Sequence, residues 1–188
     1  MRLIGLIGLL VIAVSTATGC GKPAQEAASY PPFQPPVNQP AALAAVQDQA
    51  NELLEGGVPA YTDQIEKLKG HPIVVNKWAS WCGPCAAEFP HFAGAAQDYA
   101  GEVAFLGVDS MDSTESATAF LETHPVPYPS FIDDDARIAQ ELRAVAAFPA
   151  TAFYDSNGVV TYLKQGGYAT KELLEDDIDR YALGKKTG

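Results

Sequence analysis

The spacing of apolar residues changes along the chain, and these changes predict alternating helices and strands. Apolar positions recur at helical spacing over residues 41–55, before Gly56, and a β-branched run over residues 72–78 predicts a buried strand. Residues 83–99 are predicted as a long helix and residues 102–108 as a second strand. A strand, a helix and a second strand in this order are typical of an α/β fold.

The later segments are shorter and extend the same pattern. Asn157-Gly158 predicts the turn of a hairpin between strands over residues 150–154 and 159–163, and Thr170 is suited to cap a final helix. Further short elements are predicted as helices over residues 61–69, 113–123 and 136–143 and a strand over residues 130–132. We therefore expect a central mixed sheet flanked by helices.

The N-terminus has the pattern of a targeting segment. A basic start precedes an uncharged apolar run over residues 3–14, which is shorter than the ~20 residues that span a bilayer. The small residues before Cys20 resemble a bacterial lipobox, although Ala17 stands where leucine is usual. We expect residues 1–19 to be a lipoprotein signal peptide and Cys20 to be lipidated. An ordinary cleaved signal with an incidental cysteine is the alternative.

Residues 20–40 are rich in proline and alanine and are predicted to form a tether. Paired prolines favour extended polyproline II, so this segment is expected to act as a spacer; a proline segment that binds a partner is the alternative. The length of 188 residues then leaves one domain, over residues 41–188. Such a protein is expected outside the cytoplasm, anchored to a membrane by lipid.

Composition excludes several classes of function. Twelve Lys and Arg against 23 Asp and Glu give a formal charge of −11, which makes the chain a poor ligand for nucleic acid and for anionic lipid. Three cysteines are too few for a disulfide-stapled miniprotein or an all-cysteine zinc site.

The candidate chemistry lies at Trp81-Cys82-Gly83-Pro84-Cys85. Two thiols three residues apart at a helix start lie one turn apart on the same face. The free N–H groups and the dipole at a helix N-terminus favour a thiolate, so Cys82 is the predicted nucleophile and the deeper Cys85 its resolving partner. Pro84 is compatible with the first helical turn.

Other uses of this cysteine pair fit less well. A disulfide that closes so small a loop adds little stability, which suits a bond that is made and broken. Zinc would need more Cys or His ligands, and covalent haem attachment would need His where Ala86 stands. We therefore expect a catalytic dithiol that uses no metal or organic cofactor.

The segment Trp78-Ala79-Ser80-Trp81-Cys82-Gly83-Pro84-Cys85 resembles the active-site motif of the thioredoxin superfamily. The Ala-Ala-Glu-Phe-Pro that follows at residues 86–90 is similar to the TlpA/ResA-like, membrane-tethered thiol-disulfide oxidoreductases. The resemblance covers about residues 70–183. It implies a thioredoxin-like fold with an N-terminal helical extension and an insert between the second strand and the C-terminal hairpin.

A second, weaker resemblance lies at Phe148-Pro149-Ala150-Thr151, although Ala147 stands where this branch often has glycine. The resemblance implies that Pro149 is cis and lies against the cysteine pair. The Phe148 backbone would then be free to pair with an extended substrate segment. A proline that merely begins a strand is the alternative.

Several residues near the pair are candidates for supporting roles. Glu88 lies one turn beyond Cys85, where partial burial would raise its pKa and let it exchange a proton with that thiol; a solvated helix glutamate is the alternative. Asn76 and Lys77 stand where cytosolic thioredoxin has a buried aspartate and an aromatic residue. Asn76 cannot accept a proton, and Lys77 either faces solvent or adds positive potential. Trp81 is expected to form an apolar contact surface.

The resemblance implies thiol-disulfide exchange with disulfide-bearing client proteins. The Gly-Pro between the cysteines matches thioredoxin, at about −270 mV, rather than strong oxidants at about −120 mV, and so favours a reductant. It further implies a membrane-embedded dithiol electron donor and, as a plausible client, apocytochrome c. Two alternatives stay open: an oxidase or isomerase of exported proteins, and a non-catalytic thioredoxin-fold lipoprotein that binds a partner.

Overall fold

The computed structural model describes residues 32–186. The strands in this range are β1 (Leu53–Leu54), β2 (Ile73–Trp78), β3 (Ala104–Ser110), β4 (Ser130–Asp133), β5 (Ala150–Tyr154) and β6 (Val160–Gln165). The helices are α1 (Ala41–Gln47), α2 (Gly57–Lys67), α3 (Gly83–Asp98), α4 (Thr114–Thr123), α5 (Arg137–Glu141) and α6 (Lys171–Asp177), which continues into a π-helical segment (Ile178–Ala182).

The strands form one mixed sheet in the order β1-β4-β3-β2-β5-β6. The pairs β1–β4, β4–β3 and β3–β2 are parallel, whereas β5 pairs antiparallel with β2 and β6 pairs antiparallel with β5. Every residue of β2 and β3 is buried, as expected for central strands covered on both faces. The structure thus confirms the predicted thioredoxin-like α/β fold.

An aromatic cluster fixes the long helix α3 across the sheet. The ring of Trp78, on β2, contacts Phe89 edge-on at 5.2 Å and stacks on Phe120 of α4 at 5.0 Å, and Phe89 meets Phe120 edge-on at 4.9 Å. Full burial of each such side chain contributes about 1.5–3 kcal/mol. This packing sets the position of the α3 N-terminus, where the cysteine pair lies.

The first predicted helix was too long. The helix α1 ends at Gln47, and Leu53 and Leu54 instead pair in parallel with Ser130 and Phe131 as strand β1. Two residues are too few to show strand alternation, so the apolar spacing resembled one more helical turn. Gly56 also has a different role from the one predicted: with φ of 102° it stands at the N-cap of α2 rather than ending a helix.

The last part of the predicted tether lies against the domain rather than extending away from it. The Gln34 N–H donates to Oε1 of Gln97 at 2.8 Å, and Nε2 of Gln97 donates to the Gln34 carbonyl at 3.0 Å. Gln97 belongs to the final turn of α3. The predicted signal peptide, Cys20 and the first part of the tether lie outside the described residues. Among residues 32–186, no helix is both long and apolar enough to cross a membrane.

Candidate active site

The cysteine pair lies at the junction between strand β2 and helix α3. Cys82 occupies the N-cap position with extended backbone angles, and its Sγ accepts a hydrogen bond from the Cys85 N–H at 3.2 Å. Pro84 lies in the first turn of α3, where a backbone N–H has no partner within the helix, so proline loses no hydrogen bond there. Cys82 and Cys85 are joined by a disulfide with their Cα atoms 5.2 Å apart. In the reduced protein, the helix N-terminus favours a thiolate at this position.

The two cysteines differ in their access to solvent. Cys82 is 4% exposed and Cys85 is completely buried. Cys82 is flanked by exposed Trp81 and by exposed Gly83 and Pro84, whereas Cys85 faces the core. An incoming molecule therefore reaches the Cys82 side of the disulfide first.

An aromatic pair lies beside the disulfide. The peptide bond between Phe148 and Pro149 is cis, as the sequence predicts. The rings of Phe148 and Trp81 are 4.6 Å apart, and Nε1 of Trp81 donates to the Met111 carbonyl at 3.0 Å. We call Trp81 and Phe148 the aromatic platform; Trp81 is 58% exposed and Phe148 is half-buried. Met111, at its edge, is exposed and has a left-handed φ of 58°.

Three of the predicted site residues meet around Gly167, in the loop after β6. A Cβ atom added to Gly167 would lie 3.3 Å from Oε2 of Glu88, 3.4 Å from Cγ of Pro149 and 3.8 Å from the Pro84 carbonyl. The neighbouring Gly166 N–H donates to the Pro149 carbonyl at 2.9 Å. The structure thus brings Pro84, Glu88 and Pro149 together, and the sequence analysis did not single out the loop that joins them.

Glu88 is fully buried, so the interpretation of it as a solvated helix residue is wrong. Burial raises its pKa to about 8, although the Tyr168 N–H and the positive charge of Lys164 act in the opposite direction. Oε2 accepts the Tyr168 N–H at 3.0 Å, and Oε1 has no hydrogen-bond partner among the described residues. A carboxyl group with such a pKa can accept or donate a proton near neutral pH.

Asp109 is a buried acid that the sequence analysis missed. It lies on β3 in register with Trp78 and is buried. Burial raises its pKa to about 8, and the nearby Asp112 carboxylate acts in the same direction. A signal was available, because an acid after an apolar run marks the carboxyl end of a parallel strand, where sites of α/β proteins commonly lie.

The possibility that Lys77 faces solvent is also wrong. Its side chain is fully buried, and Nζ donates to the Ala147 carbonyl at 2.8 Å. Burial lowers the pKa of Lys77 to about 8, with Asp133 acting in the opposite direction. Asn76 is buried as well. In the range 32–186, no cluster of three or more His, Cys, Asp or Glu side chains is arranged to hold a metal ion.

Comparisons with known proteins agree with this geometry. The AhpC/TSA family matches residues 44–163. The thiol:disulfide interchange protein HelX of Rhodobacter capsulatus is 30% identical over 149 residues, covering 79% of this chain and 82% of HelX. The thioredoxin-like protein YneN of Bacillus subtilis is 29% identical over 119 residues, covering 61% of this chain and 69% of YneN.

A solved structure of a related protein is also similar to this chain. The dsbF protein of Mycobacterium tuberculosis, determined in mixed oxidized and reduced forms, is 32% identical with a TM-score of 0.54, covering 58% of this chain and 81% of that one. Three observations agree on the same class of protein: the similarity to known sequences, the fold, and the disulfide at the start of α3. The chain therefore belongs to the AhpC/TSA family and is one of its thioredoxin-like thiol-disulfide oxidoreductases.

Proposed function

We propose that this protein reduces disulfides of client proteins outside the cytoplasm, using Cys82 and Cys85 as its catalytic dithiol. The observation that carries the proposal is the disulfide between these two residues at the N-terminus of α3, beside the cis Phe148–Pro149 bond. A helix N-terminus favours the thiolate that exchange requires. The small loop between the cysteines makes the bond a weak structural staple and suits it to turnover.

The exchange has two steps. The Cys82 thiolate attacks one sulfur of the client disulfide, forms a mixed disulfide and releases the other client sulfur as a thiolate, which takes up a proton. Cys85 then loses its proton, attacks Sγ of Cys82 and releases the second client sulfur. The client disulfide gains two electrons and two protons, and the enzyme becomes oxidised.

We assign Glu88 as the acceptor of the Cys85 proton in the second step. Glu88 follows Cys85 by three residues on α3, so the two side chains project from the same helical face. The raised pKa of Glu88, about 8, is close to that of an ordinary thiol, which makes transfer between the two groups nearly balanced. Cytosolic thioredoxin has a buried aspartate at the matching position of the preceding strand, but this chain has Asn76 there, which cannot accept a proton.

The surface beside Cys82 is suited to an extended client segment. In the part of the chain that the structure describes, the Phe148 backbone makes no hydrogen bond, so its N–H and carbonyl are available to pair with an added strand. The aromatic platform and exposed Met111 supply an apolar contact surface. We therefore assign Phe148 and Pro149 to client binding and Trp81 to the contact surface next to the nucleophile.

The cellular setting of this proposal comes from the N-terminal sequence. A signal peptide over residues 1–19, lipidation at Cys20 and a tether from residue 20 would hold the domain at a membrane, outside the cytoplasm. A reductant in that compartment needs electrons from across the membrane, so we propose a membrane-embedded dithiol protein as its donor. Among its clients we include apocytochrome c, whose thiols must be reduced for haem attachment. Metabolic labelling with palmitate tests the anchor: Cys20→Ser should abolish incorporation.

Trapping tests the function itself. In Cys85→Ser the mixed disulfide on Cys82 cannot be resolved, so reductant-sensitive adducts with client proteins should accumulate and be identified by mass spectrometry. The matched controls are Cys82→Ser and the double variant, which should accumulate none. Absence of adducts in Cys85→Ser would remove the case for covalent turnover at Cys82.

The direction of transfer is tested by the potential of the pair in glutathione buffers. A potential close to that of thioredoxin, about −270 mV, is expected for a reductant, and a potential of about −120 mV would favour the oxidase or isomerase alternative. A non-catalytic binding protein would instead keep its cellular function in Cys82→Ser.

A further inference from the structure

Lys77 is a cation in the core of the domain. It lies on the central strand β2, opposite Ala150 of β5, and its side chain is among the largest that are fully buried in the described structure. A buried ammonium group is unfavourable unless nearby groups replace the water it has lost. The groups that contact Lys77 are therefore informative about its role.

Among the residues that the structure describes, the Lys77 ammonium contacts the two that precede Pro149. Nζ donates to the Ala147 carbonyl at 2.8 Å and lies 3.0 Å from the centroid of the Phe148 ring. An ammonium above an aromatic face is attracted by the negative charge of that face, and the attraction is strongest where water is excluded. Lys77 thus holds the backbone at Ala147 and the ring of Phe148 from the interior of the domain.

The opposite side of this contact is the aromatic platform. The Phe148 ring packs on Trp81, and Trp81 immediately precedes Cys82 in the chain. A continuous series of contacts therefore runs from the buried cation, through Phe148 and Trp81, to the residue beside the nucleophile. An uncharged side chain of similar length would fill the space at position 77 but would neither donate to Ala147 nor attract the ring.

We propose that Lys77 is a positioning residue that holds Phe148 and the Ala147 carbonyl in place, so that an extended client segment can dock beside Cys82. This inference rests on the proposed function, because it concerns how that function recognises its client. The positive charge acts through Phe148 and does not touch the substrate. Burial of a charge in place of an apolar group costs stability, and the geometry points to client docking as what this arrangement provides.

The test compares Lys77→Met and Lys77→Arg with the wild-type chain. Each reduced protein is assayed with a disulfide-bridged peptide and with hydroxyethyl disulfide, which is too small to use the platform. For Lys77→Met we expect KM for the peptide to rise about tenfold, with kcat and the rate with hydroxyethyl disulfide within about twofold of wild type. Lys77→Arg keeps the charge and should recover most of the peptide KM.

Stability separates positioning from a merely structural role. Because methionine carries no charge to desolvate, Lys77→Met should unfold at the same or a higher urea concentration than wild type while its peptide KM rises. In a double-mutant cycle with Phe148→Ala, the two effects on KM should be less than additive, since Lys77 acts through that ring.

Three results would overturn the inference. They are an unchanged peptide KM in Lys77→Met, equal slowing with both substrates, and full additivity with Phe148→Ala. Failure of the proposed function looks different, because the wild-type protein would then reduce neither substrate.

Discussion

The backbone N–H of Tyr168 donates a 3.0 Å hydrogen bond to Oε2 of Glu88, a residue 80 positions earlier in the chain. This bond joins the loop after β6 to the helix that begins at the cysteine pair. Burial raises the pKa of Glu88 to about 8, and the hydrogen bond from Tyr168 keeps it from rising further. The protonation of Glu88 at neutral pH therefore depends on the position of a loop that is remote in sequence.

Glu88→Gln should change the pH dependence of the resolving step. The carboxylate accepts the Cys85 proton only when it is ionised, so the wild-type rate should rise with pH toward the Glu88 pKa of about 8. In the glutamine variant Cys85 must lose its proton to solvent, so the step should be slower at pH 8 by on the order of 10²-fold and should keep rising with pH until the Cys85 thiol itself ionises. Rapid-mixing measurement of the release of the second client thiol between about pH 6 and pH 9 checks this. Exposed Glu141→Gln is the control, and an unchanged profile in Glu88→Gln would rule out the assigned role.

Gly167→Ala should change the same pH profile without touching a cysteine. Its new Cβ would lie 3.3 Å from Oε2 of Glu88, which is tight enough to displace the carboxylate or the loop. The hydrogen bond from Tyr168 lowers the pKa of Glu88, so a longer and weaker bond should let burial raise that pKa further. The midpoint of the pH profile for the resolving step should then move to higher pH. The same substitution made in Glu88→Gln should leave the profile unaltered; a shift there would mean that Gly167 acts by another route.

Asp109→Asn should make stability less dependent on pH and leave the part of the slope that comes from Glu88. The pKa of Asp109 is raised from 3.8 to about 8 in the folded protein, so the folded state binds the proton more tightly than the unfolded state does. The associated stability is present at low pH and is lost as pH rises toward 8, by up to about 1.4 kcal/mol per pH unit. Urea unfolding of the oxidised protein from about pH 5 to pH 8 measures this slope. Asp134→Asn, at an exposed site, should keep the wild-type slope, and so would Asp109→Asn if this account were wrong.

Gly107→Ala should strongly destabilise the domain. An added Cβ would overlap Oγ of Ser130 and lie 3.0 Å from Nε1 of Trp78, which donates a hydrogen bond to that oxygen. Overpacking in the middle of a sheet costs about 1–3 kcal/mol. In the control, Gly94→Ala, the closest atom is Cδ of the flexible Lys171 side chain, so the change in unfolding free energy should be below about 1 kcal/mol. Equal unfolding midpoints for the two variants would contradict this packing argument.

The parts of the site that were predicted from sequence are those set by local geometry. Cys82 and Cys85 are three residues apart at a helix start, and Pro84 fits its first turn whatever surrounds it. The cis bond before Pro149 could be predicted because the surrounding segment resembles the cis-proline strand of the thioredoxin superfamily.

The parts that sequence left open are set by packing between distant segments. Glu88 is buried because Tyr168 and Gly167 close over it. Lys77 is buried because it lies on a central strand and the loop before β5 closes over its ammonium group. Neither environment leaves a periodic signal near the residue itself. Strand β1 was missed for a related reason, since it exists only through its pairing with β4.

The bonds between Gln34 and Gln97 determine where the chain enters the domain. Gln97 belongs to the last turn of α3 and Cys82 stands at its start, so roughly 22 Å of helix separates this entry point from the disulfide. The described segment before α1 is therefore held at the end of α3 that lies opposite the sulfurs. A bulky client can approach the disulfide without contacting this segment.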